Sequence, residues 1–334
     1  MQLLFSVIFA FFILLDPPLI SSSRHLTSLV PPTPIVLPYH GGPLLTGDSR
    51  STLRVNLLWY GSFSPAQRSV VTDFFRSFGD RRFRRAPSVS SWWSVVSSYV
   101  DKNKTTVAKV IKLGKQVSDA DYSMGKSLKR SDMKKLILRA INDNSLPSPS
   151  SYGSESVATL YFVLTASDVV VERFCMNSCG FHDSTVTSVN PRISHHSSLS
   201  MPYAWVGNPA TQCPGLCAWP FAKPEYGPPT PPLLPPNQDI GMDGMMINIA
   251  TILAGAATNP FNSGYFQGDP SAPLEASTAC VGSFGPGSYP GYPGNLQADK
   301  RTKASYNVIG ANRREYLLPA VWSPLTETCK PPQS

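Results

Sequence analysis

D-G-M-M-I-N-I-A-T-I-L-A-G-A-A-T-N-P, residues 243 to 260, is the stretch that decides the fold of this 334-residue chain. Asp243 suits a helix N-cap because its carboxylate accepts hydrogen bonds from backbone N–H groups of the first turn. Asn259 followed by Pro260 is a typical helix stop. The residues between them leave no wide polar face, so the pattern predicts a helix over 243–257 that is buried on nearly all sides. It is shorter than the roughly 20 apolar residues of a membrane span, and we therefore expect a central core helix with the other elements packed around it.

Upstream of this stretch, strand and helix signals alternate along the chain. Ser64 to Gln67 is a capping box with Pro at the first helical position, and apolar residues then recur at helical spacing. The continuous apolar run over 157–165 indicates a strand buried on both faces. In chain order the signals predict a strand at 53–60, helices at 65–78 and 88–100, a strand at 105–113, a helix capped by Ser131, and strands at 157–165 and 202–207. This order is typical of an α+β fold in which helices pack against a mixed sheet.

The N-terminus has the composition of a secretory signal peptide. Leu3 to Leu15 is an apolar run of the right length, and a serine cluster ending at Ser23 follows it,. We therefore assign residues 1–23 to a signal peptide, and no second long apolar run occurs outside the central helix. The mature protein is expected to be secreted, extracellular and without a membrane span.

The remaining chain is expected to contain one globular domain. Residues 24–52 are rich in Pro, Gly and Ser and predict an extended N-terminal segment,. The domain itself spans 53–334, with the sheet and helices in 53–170. From 171 to 334 we expect a loop-rich, disulfide-linked part that contains the central helix, because Pro and Gly are frequent there.

The net charge narrows the class of partner. Lys and Arg number 29 against 21 Asp and Glu, giving a formal charge of +8, and a basic surface favours nucleic acid, membrane headgroups or acidic polysaccharide. Secretion excludes nucleic acid. The densest basic patch contains Arg81, Arg82, Arg84 and Arg85. Charge runs are usually solvated loops, and the alternative interpretation is contact with an acidic polymer, to which Tyr289 and Tyr292 add stacking surfaces.

Six cysteines in a secreted chain predict three disulfides. They are Cys175, Cys179, Cys213, Cys217, Cys280 and Cys329. Six cysteines allow about 15 pairings, of which we favour two local bridges, 175–179 and 213–217, together with 280–329. A zinc site at Cys175, Cys179 and His182 has a permissible spacing, but secretion favours disulfides over thiolate ligands. Asn103 begins an Asn-Lys-Thr glycosylation acceptor.

Several motifs together resemble the plant EXORDIUM family, also called the phosphate-induced protein family. They are Y-H-G-G-P at 39–43, V-N-L-L-W-Y-G at 55–61, Q-C-P-G-L-C-A-W-P-F at 212–221, D-G-M at 243–245, T-N-P-F at 258–261, A-P-L-E-A at 272–276 and L-L-P-A at 317–320. The resemblance covers the chain from about residue 36 to the final cysteine and departs from the family at Asn312-Arg313, where Asn-Gly is expected. It implies an apoplastic or wall-associated protein involved in growth, brassinosteroid response and carbon status, and it implies no established catalytic residues.

The predicted central helix can be compared with the buried helix that carries the zinc-binding motif of some secreted zinc peptidases. Those enzymes place two metal ligands and a general base one helical turn apart on a buried helix that ends in a Thr-Asp-Pro-like motif. Aligning 258–260 with that ending puts Thr251, Ile252 and Gly255 at the ligand and base positions, and none of them binds zinc or takes a proton. We therefore expect no peptidase activity. The order of sheet, long apolar helix and cysteine-linked tail is similar to the zincin layout, so a zincin-like fold without the metal site is one alternative for the architecture.

Other catalytic arrangements are weak in this sequence. The candidate histidines for a hydrolase triad are at 40, 182, 195 and 196, but no Gly-x-Ser-x-Gly elbow accompanies them. Candidate carboxylates for a polysaccharide hydrolase are Asp168, Glu172, Asp239, Asp243 and Glu275. We predict a non-enzymatic wall protein with no cofactor, which binds acidic wall polysaccharide or, alternatively, an apoplastic receptor or peptide.

Overall fold

The computed structural model describes residues 34–79, 87–149, 151–152, 156–176, 178–188, 198–226, 230–270 and 272–332. Residues 35–334 form one compact unit. Leu44 and Leu45 of the predicted extended segment are fully buried in its main core. The predicted signal peptide and the arginine patch at 81–85 lie outside the described residues.

Five strands form one mixed sheet. β1 is Thr52–Tyr60, β2 is Val110–Asp119, β3 is Thr159–Thr165, β4 is Gly180–Ser188 and β5 is Ser198–Gly207. They lie in the order β2-β1-β3-β5-β4. The β2–β1, β1–β3 and β3–β5 pairs are parallel, whereas β4 is antiparallel to β5. The predicted α+β class with a mixed sheet is therefore confirmed, and β3 at its centre is buried along its whole length, as its apolar run indicates.

Four helices of eight or more residues occur in the described part of the chain. α1 is Pro65–Arg76 and continues as the 3-10 turn Ser77–Gly79, α2 is Val89–Val96, α3 is Arg130–Asn142 and α4 is Ile240–Thr258. All but α2 contact this sheet. The predicted capping box of α1 is present, and the paired tryptophans of α2 are core residues. Shorter elements are the helical turn Pro214–Cys217, 3-10 turns at Thr278–Cys280 and Ala311–Arg313, and strands at Ser127–Leu128, Ser151–Tyr152, Ser156–Val157, Val170–Val171, Gln297–Ala298, Ser305–Tyr306, Val308–Ile309, Glu315–Tyr316, Val321–Ser323 and Thr328–Lys330.

The predicted central helix is α4, which packs on β4 and β5. It is long and apolar enough to cross a membrane, yet 78% of its apolar window is buried inside the fold. Its stop at Asn259 is confirmed, but its predicted start is wrong. The N-cap is Asp239, whose side chain accepts from the N–H of Met242 at 3.0 Å. Asp243 lies in the first turn of the helix. It is buried there and does not cap the helix.

The sheet edges differ from the prediction. The strand expected at 105–113 is β2, which runs from 110 to 119, and β4 arises from a segment expected to be loop. Both are edge strands, so only part of each is buried and their apolar alternation is weak. The helix expected to begin after Ser131 is capped at Lys129, and α2 ends at Val96 instead of continuing to 100.

The disulfides join separate segments instead of closing local loops. Cys175 bonds Cys213, and Cys179 bonds Cys217, so the two predicted local bridges are wrong. The helical turn at 214–217 puts Cys213, which precedes it, and Cys217, its last residue, on one face with their sulfurs 3.7 Å apart, and both face the 175–179 loop. The predicted Cys280–Cys329 bridge is confirmed.

Candidate functional site

A polar cleft of about 370 Å³ opens beside the N-terminus of α4. Three segments form it, namely 236–238 before α4, 299–302, and the turn 312–315. Its lining side chains carry both charges, with guanidinium groups from Arg301, Arg313 and Arg314 and carboxylates from Asp299 and Glu315. We call it the arginine cleft.

The wall of the arginine cleft is fixed by a hydrogen-bonded network that continues into the core. Arg314 donates from Nε to Asp73 Oδ2 at 3.0 Å, from one terminal nitrogen to Asn237 Oδ1 at 2.7 Å, and from the other to Ser69 Oγ at 2.9 Å. Asn237 in turn donates from its backbone N–H and its amide to the two oxygens of Asp243, at 2.8 and 2.6 Å. Arg314 is therefore a structural group, and the network holds the cleft in one geometry.

Asp243 is the most perturbed acid of this network. The residue is 2% exposed. Burial raises its pKa to about 7, and this outweighs the hydrogen bonds from Asn237, which act in the opposite direction. Because Asn237 lies between Asp243 and the cleft, the carboxyl stabilises the wall and does not line the cleft itself.

The turn at Asn312-Arg313 brings a guanidinium to the rim of the cleft. Both residues have left-handed backbone, with φ of 58° and 57°, in the hairpin between Val308–Ile309 and Glu315–Tyr316. Such a turn favours Asn-Gly, which is the dipeptide that the family resemblance leads us to expect. This chain keeps the turn but has arginine at the second position. The left-handed backbone there destabilises any residue other than glycine by roughly 1 kcal/mol.

The charged groups at the cleft surface suit a ligand that carries both carboxylates and hydroxyls. Among the described residues, Arg301 and Arg313 form no ion pair and are available to an anion. Hydrogen bonds from Thr302 lower the pKa of Asp299, whereas burial and then the charge of Asp299 raise the pKa of Glu315. Guanidinium groups bind carboxylates, and carboxylates accept from sugar hydroxyls. An acidic sugar combines both.

The predicted hydrolase acids all have structural partners. Asp168 accepts from Lys126 at 2.6 Å, Glu172 accepts from the N–H of Arg130, Asp239 caps α4, and Asp243 belongs to the network above.

Glu275 forms a buried pair with His182. The Nε2 atom of His182 lies 3.0 and 2.9 Å from its two oxygens, and Asn259 donates to Oε1 at 2.7 Å. Burial lowers the pKa of His182, but the charge and hydrogen bond of Glu275 together outweigh it, so the net shift is upward. The pair packs against Gly255, where an added Cβ would come within 2.5 Å of Glu275 Oε2. Gly255, one of the three positions aligned with the metal ligands and general base of a zinc peptidase, thus borders a buried ion pair.

The weak zinc candidates are not free to bind metal, since Cys175 and Cys179 are in disulfides and His182 pairs with Glu275. Asn103 is exposed in a turn, as an acceptor for glycosylation must be. Tyr289 and Tyr292 have ring centroids 5.1 Å apart, with Tyr289 largely exposed. The basic patch of Arg81, Arg82, Arg84 and Arg85 and the histidines at 195 and 196 lie outside the described part of the chain.

Sequence reasoning missed the arginine cleft, because the segment before α4 is far in the chain from the two segments at 299–302 and 312–315. One signal was present, namely the Asn312-Arg313 departure from the expected Asn-Gly.

Comparisons with known proteins agree on one family. The family model described as "Phosphate-induced protein 1 conserved region" matches residues 37–332. The chain is 48% identical over 306 residues to "Protein EXORDIUM-like 2" of Arabidopsis thaliana, covering 91% of this chain and 92% of that protein. It is 46% identical over 310 residues to "Protein PHOSPHATE-INDUCED 1" of Nicotiana tabacum, covering 92% of each. It is 41% identical over 336 aligned residues to "Protein EXORDIUM" of Arabidopsis thaliana, covering 98% of this chain and 99% of that protein. No solved structure matches the chain, so the expected zincin-like layout stays a prediction.

Proposed function

Because the chain belongs to the family of EXORDIUM and phosphate-induced proteins, we propose that it is a secreted protein of the cell-wall space that takes part in growth regulation by binding acidic wall polysaccharide, without catalysing a reaction. The N-terminal apolar run and the three disulfides support secretion, because disulfides persist in oxidising compartments,. The net charge of +8 supports an anionic partner,.

The observation that carries the proposal is the chemistry of the arginine cleft. Arg301 and Arg313 present charge to a uronate carboxylate, while Asp299 and Glu315 accept from ring hydroxyls. The buried network around Arg314 holds the 312–315 turn, which carries Arg313 and Glu315, in place before the ligand arrives, and this lowers the entropy cost of binding. Exposed cation–carboxylate pairs contribute only about 0–1 kcal/mol each, so retention on a polymer requires several contacts and is sensitive to salt.

Retention on immobilised polygalacturonate tests this proposal. We expect the purified secreted protein to be retained at about 50 mM salt and released at about 500 mM, and not to be retained on a fully methyl-esterified polymer. Arg313→Gly should weaken retention by about two- to fivefold, and Arg301→Gln with Arg313→Gly by about tenfold. Lys223→Gln, an exposed cation outside the cleft, is the matched control. Equal retention of the double variant and the native protein would refute a role for the cleft.

A second candidate function is hydrolysis of the polymer. It is favoured by one observation, namely that Asp299 and Glu315 line the same cleft while their pKa values move in opposite directions, which is typical of an acid–base carboxylate pair. Release of reducing sugar from polygalacturonate, lost in Glu315→Gln, would establish hydrolysis. Binding without any release supports the non-enzymatic proposal.

A further inference from the structure

A second pocket lies at the β2 edge of the sheet, where the pairing with β1 is irregular. Val55 pairs with Leu113 and Leu57 pairs with Gln116, so two residues of β2, Gly114 and Lys115, oppose the single residue Asn56. An added Cβ at position 114 would overlap the Asn56 side chain, so glycine is required there. Bulges of this kind re-aim side chains and are frequent beside binding sites.

The bulge leaves a buried donor without an acceptor. Asn56 is fully buried, and its Oδ1 accepts from the backbone N–H of Lys115 at 2.8 Å. This bond fixes which end of the amide is the oxygen. Among the described residues Nδ2 has no hydrogen-bond partner. An unpaired buried donor costs about 1–3 kcal/mol, and such a group in a native fold points to a ligand or another acceptor.

Asn56 lines a pocket of about 510 Å³, which we call the bulge pocket. Arg54 and Lys115 supply two cations, and Lys115 Nζ is held at the rim by the carbonyl of Asn144 at 3.1 Å. None of the described residues that line it is acidic. The apolar part of the lining consists of Leu113, Leu146 and Pro147. Its volume lies within the roughly 300–1,000 Å³ typical of small-molecule sites.

The two pockets differ in what they accept. The arginine cleft offers carboxylates to hydroxyl groups, whereas the bulge pocket offers cations, an amide donor and an apolar surface without any carboxylate. Sugar hydroxyls can accept from these donors, but they carry no charge to pair with the two cations and they do not suit the apolar residues. A carboxylate with a hydrocarbon body satisfies the cations, the orphaned amide and the apolar residues together.

We propose that the bulge pocket binds a small monocarboxylic acid with an apolar body, its carboxylate on Arg54, Lys115 and the Asn56 amide and its hydrocarbon on Leu113, Leu146 and Pro147. This site is separate from the polysaccharide site proposed above. It would make the protein a receptor for a small organic acid in addition to a wall-bound protein.

Equilibrium dialysis of the full mature protein tests the proposal with hexanoate and phenylacetate as probes and their primary amides as neutral matches. We expect each acid to bind saturably at one site per chain, at least about tenfold more tightly than its amide, because charge-assisted hydrogen bonds are lost with the amide. Arg54→Gln and Lys115→Gln should each weaken binding of the acid by about fivefold or more. Lys223→Gln, the control, should leave the affinity for both acids unchanged.

Asn56→Asp tests the buried donor, because it keeps the shape and the oxygen that accepts from Lys115 and replaces the amide donor with a second oxygen. We expect it to abolish acid binding. The exposed variants Arg54→Gln and Lys115→Gln keep the test valid if Asn56→Asp does not fold. Equal affinity for acids and amides, unchanged affinity in both exposed variants, or no saturable binding of either acid would overturn the proposal.

The same variants separate this site from the polysaccharide site. Arg54→Gln and Lys115→Gln should lower polygalacturonate retention by no more than Lys223→Gln does, and Arg313→Gly should leave hexanoate binding unchanged. Displacement of hexanoate by galacturonate at equal concentration would overturn the assignment, since it would make the pocket a subsite for the polymer.

Discussion

Replacing Asp243 with asparagine should change how the stability of the protein depends on pH. The carboxyl is buried, and its pKa is raised from 3.8 to about 7 by that burial. Between these two values the native state holds a proton that the unfolded chain has released. Stability contributed by this group is therefore present at low pH and is lost as pH rises from about 4 to about 7.

The size of the effect follows from the shift. A change from 3.8 to about 7 is about 3 pKa units, and each unit corresponds to about 1.4 kcal/mol, which gives about 4 kcal/mol. The positive end of α4 favours the ionised form by up to about 2 kcal/mol. We therefore expect Asp243 to account for about 2–4 kcal/mol of lost stability between about pH 4 and pH 8.

Asp243→Asn removes this titration but not the shape of the side chain. One of the two donors of Asn237 will then face an amide NH2 in place of an oxygen, at a cost of about 1–3 kcal/mol at every pH. The variant should be less stable than the native protein at acid pH. The difference should shrink or reverse as the pH rises, because only the native protein then carries a buried charge.

Urea unfolding with the disulfides intact, at several pH values between about 4 and 8, measures the difference directly. Asp121→Asn, at an exposed aspartate, is the matched control and should leave the pH profile unchanged. If the free energies of unfolding of the native protein and of Asp243→Asn run parallel across this range, the reasoning about burial is wrong.

Three further changes test the geometry around the arginine cleft and α4. Arg313→Gly should raise the free energy of unfolding by about 0.5–1 kcal/mol, because glycine adopts the left-handed turn without strain. Calorimetry should show a higher melting temperature, and an unchanged or lower one would mean that position 313 does not have a left-handed backbone. Gly255→Ala should destabilise by about 1–3 kcal/mol, since its Cβ displaces Glu275 from the buried pair, and near-native stability in urea would contradict that contact. His182→Gln should cost about 3 kcal/mol at acid pH, where the buried pair is charged. The upward pKa shift of His182 means that the stabilisation is lost as pH rises through that pKa, so the deficit should narrow in alkaline urea titrations and not widen.

The features predicted correctly from the sequence are those set by local burial. β3 is apolar at nearly every position because both of its faces are covered, and α4 has no polar face because the sheet and loops surround it. The capping box of α1 depends only on residues that are three apart. Such signals are contained within one segment, so a sequence pattern suffices to find them.

The features predicted wrongly, or not found, depend on contacts between distant segments. β4 reads as loop because an edge strand needs few apolar residues, and it is a strand because β5 pairs with it along its length. The cysteines at 175 and 179 bond partners 38 residues away because the turn at 214–217 lies against their loop. The arginine cleft combines residues near 237, 300 and 313. No local sequence pattern predicts that these residues come together.

The two buried titrating groups act in the same direction, and this bears on where the protein works. Asp243 lies in the first turn of α4 and His182 contacts Gly255 near the opposite end of that helix, yet the pKa of each is raised, so the native state takes up protons at both. Each group then makes the fold more stable in mildly acidic solution than in alkaline solution. Polymer carboxylates remain ionised down to about pH 4, and arginine is charged throughout. The stability that Asp243 contributes is greatest near pH 4 and declines up to about pH 7,, whereas the carboxylates of the proposed polymer ligand are largely ionised above about pH 4. The two requirements therefore overlap best in mildly acidic solution, near the lower end of this range, which is the condition under which we expect the proposed binding to be measured most reliably.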